Sequence, residues 1–431
     1  MKKVGLYTLG CKVSQYETEA IAELFEKRGY EISDFGGVND VYVINTCTVT
    51  AEADRKSRQM IRRAKKANPN SRVIVLGCYS QRSPEEVAAI EGVDAVIGSG
   101  AKMTVPDIAE RLLSGEEKII SVSDIDTEPF EPMRITHGAR TRVYVKIEDG
   151  CESKCAYCAI PSARGKVRSK PLSDVILEVE GLTASGVPEI VLTGIETGSY
   201  GKDLDGGHTL ASLISELERR KSAHRIRLGS LAPELIGKDF VDTVRGSSIL
   251  APHFHLSLQS GSDKVLRLMR RRYTRERALE NLRRLKEAFP GAMFTTDIMV
   301  GFPGEEEEDF LDTVRFVREA RFLDAHIFAY SERKNTPAAS FGGKVPENIK
   351  KERSERLSAV AAEVSASVLD EVVLEGKPLL CILEQKKGGL WLGHSESFIE
   401  VSCASDCDMR GREVMLYPER REGKTIFGKI V

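Results

Sequence analysis

Gly150-Cys151-Glu152-Ser153-Lys154-Cys155-Ala156-Tyr157-Cys158 sets the frame for the whole chain. Three thiols at C-x3-C-x2-C spacing follow directly on an apolar run, residues 143–148, that reads as a strand. Such a loop wraps three thiolates around one compact group. A structural zinc ion takes four ligands, and no Cys or His follows within the loop. Three ligands suit a [4Fe–4S] cluster with one iron left open. The bland alternative is a chance cluster of thiols.

Outward from this loop the pattern is α/β. Strands are expected at 190–193, 225–228, 253–258, 294–300 and 324–329 after the first at 143–148. Helical patterns at 173–185, 210–220 and 275–289 separate most of them. Six strands with helical crossovers predict a full or partial β/α barrel over 137–369, with a helix at 350–369 leading out. Residues 1–115 also alternate strand and helix, which predicts a parallel sheet covered by helices. Cys11, Cys47 and Cys78 each follow one of its first three strands. Ligands in such sheets gather beyond the C-terminal strand ends. These cysteines therefore either converge on one rim or are small buried residues. Residues 116–136 read as a linker. In 370–431, short runs at 372–374, 378–384, 390–393, 398–401, 413–416 and 425–431 predict a small all-β barrel of the oligonucleotide-binding type.

The bulk composition fits. The chain has 431 residues, of which 41% are hydrophobic and 30% charged, as in ordinary globular proteins. At roughly 150 residues per domain, two to three domains are expected. A net charge of −2 excludes a uniformly basic nucleic-acid binder. No apolar run reaches the about 18 residues of a membrane span, and the first apolar stretch is too short for a signal peptide. A cytoplasmic protein with no membrane partner is expected. Nine cysteines in that reducing compartment point to buried thiols, a nucleophile or metal ligands.

The Cys151 loop resembles that of the radical S-adenosylmethionine superfamily, in spacing and in its place after the first barrel strand. The resemblance implies that the open iron chelates S-adenosylmethionine and that one electron from the cluster cleaves it to a 5′-deoxyadenosyl radical. Leu192-Thr193-Gly194-Ile195 stands where the family contacts the amino group of S-adenosylmethionine. Ile298-Met299-Val300-Gly301-Phe302-Pro303-Gly304-Glu305 is similar to the strand beside adenine, and Leu258-Gln259-Ser260-Gly261-Ser262 ends another strand at that rim. Thr193, Gly194, Gln259, Gly301 and Glu305 are thus candidate cofactor contacts, although each glycine segment also reads as a strand-ending turn. No residue is assigned as a catalytic acid or base, since the chemistry implied is the cofactor's.

Together with Cys11, Cys47 and Cys78, the chain resembles the methylthiotransferases over nearly its whole length. That resemblance implies a second [4Fe–4S] cluster on the N-terminal cysteines, carrying the sulfur, and a C-terminal TRAM domain. Thr8-Leu9-Gly10-Cys11-Lys12-Val13-Ser14-Gln15-Tyr16-Glu17 is similar to the branch acting on N6-threonylcarbamoyladenosine at position 37, in the anticodon loop of tRNA. That branch usually has Asn where Ser14 stands and His where Glu196 stands. An electron donor of the flavodoxin or ferredoxin type is implied as a further partner.

Basic residues cluster at Arg55, Lys56, Arg58, Arg62, Arg63, Lys65 and Lys66, at Arg164, Lys166, Arg168 and Lys170, and at Arg267, Arg270, Arg271, Arg272, Arg275 and Arg277. Like charges on one helix face repel, so phosphate is a natural partner; a solvated face is the alternative. Arg55, Lys56, Arg62, Arg63, Arg270, Arg271 and Arg272 are the candidate RNA contacts. Arg164 and Arg168 have a second reading, serving the cofactor or capping its loop. Cys381, Cys403 and Cys407 fit no usual zinc spacing with His394 and read as buried or incidental thiols. Sister activities, on N6-isopentenyladenosine in tRNA or on a ribosomal-protein aspartate, are alternatives. A non-catalytic RNA-binding iron–sulfur protein is the reading from a different class.

Overall fold

In the computed structural model, residues 1–48, 50–138 and 140–431 are described. The N-terminal sheet has six parallel strands in the order Glu31–Ser33, Lys3–Thr8, Val41–Thr46, Arg72–Gly77, Ala95–Ile97 and Ile119–Ser121. Val41–Thr46 is buried at every residue, as a central strand covered on both faces must be. The two edge strands, Glu31–Ser33 and Ile119–Ser121, are missed by the sequence reading; both are short and only partly buried. One of them, Ile119–Ser121, lies in the stretch read as a linker and adds the last strand to the sheet.

Strand order makes Lys3–Thr8 the place where the chain reverses direction across the sheet. Its neighbours are Glu31–Ser33 on one side and Val41–Thr46 on the other. Crevices of doubly wound sheets open at such a reversal; Cys11 follows Lys3–Thr8 and Cys47 follows Val41–Thr46.

The central region holds six parallel staves in chain order: Arg142–Lys146, Glu189–Thr193, Ile226–Leu228 continued as Ser230–Leu231, His253–Gln259, Met293–Val300 and Asp324–Ala329. Among the described residues no ladder joins the first stave to the last, so the barrel is partial. Helix Lys12–Glu26 of the N-terminal region packs along the first stave, and helix Glu347–Glu375 along the last.

The C-terminal residues close a five-stranded barrel in the order Leu379–Lys387, Leu390–Ser395, Glu400–Ala404, Thr425–Ile430 and Glu413–Glu422. Residues 372–374, read as a sixth run, belong to helix Glu347–Glu375. A short apolar run does not distinguish strand from helix. The stop signal is Gly376, left-handed at φ 61°. Cys381 and Cys403 are buried in this barrel and Cys407 is exposed. Trp391 is buried, whereas Tyr417 is 44% exposed.

Phe398 ties the small barrel to the large one. Its ring stacks on His253 at 4.6 Å and on His394 at 4.8 Å, with the guanidinium carbons of Arg142 and Arg227 at 5.0 and 4.9 Å. Arg142 also pairs with Glu384 at 2.9 Å and Arg225 with Glu413 at 2.6 Å.

Candidate active site

Gly150 starts the cysteine loop with φ +87°, and a Cβ there would lie 1.9 Å from the Lys166 carbonyl oxygen. Only glycine allows that approach. The loop is then pinned by backbone bonds: Cys151 N donates to Gly165 O at 2.9 Å, Ala156 N to Met269 O at 3.0 Å, and Ala338 N to Ala156 O at 2.8 Å. Arg271 Nη1 donates to Cys155 Sγ at 3.4 Å and Nη2 to Ser257 O at 2.9 Å. Burial pushes the Cys151 thiol up to about 11 and the Cys158 thiol up to about 12. Buried, neutral thiols of this kind are poor nucleophiles and need a bound cation to ionise. Among the described residues no three Cys, His, Asp or Glu side chains gather as they would around a single metal ion. A four-iron cluster, with a separate iron for each thiolate, makes no such demand.

The other three cysteines lie at one rim of the N-terminal sheet. Cys11 caps helix Lys12–Glu26, and Cys78 begins the short helix Cys78–Arg82. Thr46 and Gly77 are register partners, so Cys47 and Cys78 leave adjacent strand ends side by side. A Cβ on Gly10 would sit 3.2 Å from Cys47 Cβ, which places the residue before Cys11 against Cys47. Cys78 is buried, and Arg164 Nε donates to its sulfur at 3.1 Å.

Arg164 links the two cysteine sets. Its Nη1 lies 2.6 Å from Glu17 Oε1 and 3.2 Å from Asp149 Oδ2. Glu17 stands on the helix begun after Cys11, and Asp149 precedes the Gly150 loop. Lys146 joins both carboxylates, at 2.9 Å and 2.6 Å, and Lys102 reaches Glu17 at 3.2 Å. Burial opposes ionisation of Glu17 and Asp149, but Arg164 with the two lysines holds both well below the usual carboxylate range. Arg82 spans the same gap from the surface: it bonds Thr48 Oγ1, Ser162 Oγ and the Lys334 carbonyl. Arg333 adds bonds to Thr48 Oγ1 at 2.8 Å and Asp54 at 2.6 Å.

A cavity of about 200 Å³ opens where these parts meet, lined by Thr50, Cys158, Gln259, Asp297, Met299 and Tyr330 among others. Gln259 is held at φ 69°. Thr193 is buried at its strand end. Gly194 approaches Glu148, whose Oε2 would be 2.5 Å from an added Cβ. Burial keeps the Glu148 carboxyl well above its usual range, and its Oε1 has no partner among the described residues. Gly194 thus packs against a buried carboxyl with one oxygen left unpaired among the described residues. Gly301 and Glu305 are placed differently. Glu305 accepts from Gly301 N at 2.9 Å and pairs with Arg353 at 2.7 Å, in a turn packed on helix Glu347–Glu375. They brace the last helix and do not line the cavity beside Cys158.

The basic groups divide in the same way. Arg164, Arg168 and Lys170 are buried and paired, so they form no phosphate surface. Arg271, read as an RNA contact, faces Cys155 and Glu234 instead. Arg270 and Arg272 are exposed, and Arg270 lies beside the outer face of the cysteine loop. On helix Ala51–Ala67, Arg55, Lys56, Arg62 and Arg63 are exposed; Arg55 pairs with Glu52, while Arg58 pairs with Glu86 and Lys65 with Asp94. Sequence reasoning missed Glu17, Lys102, Lys146, Asp149, Arg82 and Arg333. Glu17 and Lys146 lie within stretches quoted above, but only the folded chain brings them together.

The interior of the large barrel is polar. His253 Nε2 and His255 Nδ1 share Thr295 Oγ1 at 3.0 and 2.9 Å, and His255 Nε2 lies 3.1 Å from Asp297 Oδ2. Glu189 is taken by Arg142 at 2.5 Å and Arg227 at 2.8 Å. Lys12, next to Cys11, stands within electrostatic reach of Arg227, Arg142 and Asp297.

Residues 145–317 match the family described as Radical SAM superfamily, and residues 3–98 match Uncharacterized protein family UPF0004. The chain is 41% identical over 420 residues to Threonylcarbamoyladenosine tRNA methylthiotransferase MtaB of Bacillus subtilis (strain 168), covering 96% of this chain and 93% of the relative. It is 34% identical over 440 residues to tRNA-2-methylthio-N(6)-dimethylallyladenosine synthase of Acetivibrio thermocellus, covering 99% of this chain and 90% of the relative. Among solved structures, the radical S-adenosylmethionine methyltransferase TsrM from Kitasatospora setae aligns at TM-score 0.58 and 17% identity, over 79% of this chain and 77% of that one. That likeness is one of fold.

Proposed function

The chain belongs to the radical S-adenosylmethionine methylthiotransferase family, and on that premise we propose that its two cysteine sets serve one reaction at one cavity. It is a tRNA-modifying enzyme that converts N6-threonylcarbamoyladenosine to its 2-methylthio derivative, as the relatives of that name do. The observation that carries the reading is Arg164, which touches Cys78 on one side and the Asp149 carboxylate ahead of the Cys151 loop on the other.

Cys151, Cys155 and Cys158 would hold the [4Fe–4S] cluster that binds S-adenosylmethionine, and Cys11, Cys47 and Cys78 a second one. When bound, these groups supply the radical and the sulfur, which the side chains cannot. The chain's own residues position and enclose. Arg271 neutralises charge at Cys155, and Arg164 does so at Cys78. Glu148 and Gly194 would receive the amino group of S-adenosylmethionine, with Gln259 and Thr193 at the same rim. Arg82 and Arg333 hold the N-terminal region over the cavity and exclude water from it. Lys56, Arg62, Arg63, Arg270 and Arg272 would meet the tRNA backbone, where each phosphate contact makes binding salt-dependent. A flavodoxin or ferredoxin would deliver the electron, and the reaction would run in the cytoplasm.

The test is anaerobic turnover by the full chain, loaded with iron and sulfide, on tRNA bearing threonylcarbamoyladenosine. Nucleoside mass spectrometry should find the 2-methylthio product. Product only on isopentenyladenosine tRNA, or only on a ribosomal-protein aspartate, would move the chain to a sister activity. Turnover that survives Cys151→Ala would sink the radical reading.

A further inference from the structure

We propose that Lys12 recognises the carboxylate of the threonylcarbamoyl group and so selects this substrate over adenosines with an uncharged N6 substituent. The inference rests on the substrate assigned above and adds the residue that reads it.

Three observations carry it. First, Lys12 directly follows Cys11, one of the cysteines placed at the sulfur-bearing site. The sulfur goes to C2 of adenine. C2 and C6 flank the same ring nitrogen, N1, so a base presenting C2 to that site presents its N6 substituent beside it. Second, the side chain of Lys12 makes no hydrogen bond or ion pair among the described residues, although it is half-buried. Third, the carboxylates near it are already engaged. Its electrostatic neighbours include Arg227, Arg142 and Asp297. Of the carboxylates there, Glu189 is engaged by both arginines and Asp297 by His255. Asp297 lines the cavity beside Cys158 and Gln259. An ammonium with no bonded partner among the described residues, whose nearby carboxylates are engaged elsewhere, lacks a counter-ion. A ligand carboxylate supplies it, through a charge-assisted bond.

The experiment compares two anticodon stem-loops, one with the threonyl carboxylate free and one with it as the methyl ester. Steady-state methylthiolation is measured with the iron-loaded full chain. The wild type should favour the free acid by on the order of 100-fold in kcat/KM, the worth of a hydrogen bond to a charged group. Lys12→Met should lose that preference by falling on the acid and not on the ester. Lys12→Arg, which keeps the charge, should keep the preference. The inference is overturned if the wild type is indifferent to esterification, or if Lys12→Met discriminates as the wild type does. A raised KM for S-adenosylmethionine with tRNA selectivity intact also overturns it, by assigning Lys12 to the other carboxylate in the cavity. If Lys12→Met takes up no iron, the wild-type ratio and Lys12→Arg decide. No product from the wild type on either stem-loop is a different result: it defeats the substrate assignment itself.

Discussion

Arg164 donates to the sulfur of Cys78 at 3.1 Å while its other nitrogens grip Glu17 and Asp149, with no part of its side chain exposed. One guanidinium therefore couples Cys78, at the rim of the N-terminal sheet, to the residue that precedes the Gly150 loop. The cluster sets Arg164, Lys146 and Lys102 against Glu17 and Asp149, with Arg168 and Glu131 at its margin.

Removing that guanidinium leaves two buried carboxylates short of a cation. Breaking one partner of a buried pair costs about 3–5 kcal/mol. Arg164→Met is expected to lose that much stability in denaturant unfolding, and to bind iron less completely at the N-terminal cysteines. Unchanged stability would mean that water or the lysines replace the guanidinium. Arg164→Lys should recover only part of the loss, since an ammonium cannot make the fork of bonds.

Iron content separates the two cysteine sets. The reconstituted wild type should hold about eight irons and the Cys11→Ala/Cys47→Ala/Cys78→Ala variant about four, with 5′-deoxyadenosine still formed from S-adenosylmethionine. Equal iron in both proteins would refute the second cluster.

Gly150 and Gly186 test the loop against the backbone alone. Both have φ near +88°, at +87° and +88°. A Cβ on Gly186 would meet nothing within 4 Å, whereas one on Gly150 would meet Lys166 O at 1.9 Å. Gly186→Ala should cost about 1 kcal/mol for the left-handed conformation. Gly150→Ala should cost clearly more and should lower iron binding at Cys151, because the atom it strikes is backbone. Equal costs would show that the loop yields freely.

Glu189 sets an acid limit. Burial opposes its charge, but the hydrogen bonds from Arg227 and the charges of Arg142 and Arg225 prevail and draw its carboxyl from 4.5 down to about 2. A folded value below the unfolded one adds stability above the unfolded value, lost as pH falls through the folded one. The contribution is about 3 kcal/mol, disappearing between roughly pH 4.5 and 2. Unfolding measured across that window should show the slope, and Glu189→Gln should flatten it. The same slope in both proteins would assign it to other acids.

Much of this was legible in the chain. The Cys151 loop declares itself by spacing, and the N-terminal cysteines by their place after apolar runs. The five strands of the small barrel were visible as alternating runs. What failed is instructive. Arg164 and Arg168 read either as a basic group or as serving the cofactor or capping its loop, and local sequence does not choose between the two; Glu17 is 147 residues from Arg164. Arg271 sits among exposed arginines, yet faces Cys155, 116 residues away. Local sequence reports charge density but not which face of the fold receives it. Glu305 matched a motif, but its carboxylate is spent on Arg353, a partner on a helix that the motif does not include.

Helix Lys12–Glu26 packs on the first barrel stave, and its Tyr16, Ala20 and Ile21 join one continuous apolar cluster with Val143, Val145, Leu369 and Leu416. Three regions that look like beads on a string therefore share a single interior. Cutting the chain between them would strand a wet apolar face on each fragment, so truncation of any one part should yield aggregates in place of working modules. Exchanging one region for that of a relative would require its seam residues to travel with it, which makes this a protein whose parts must be inherited together.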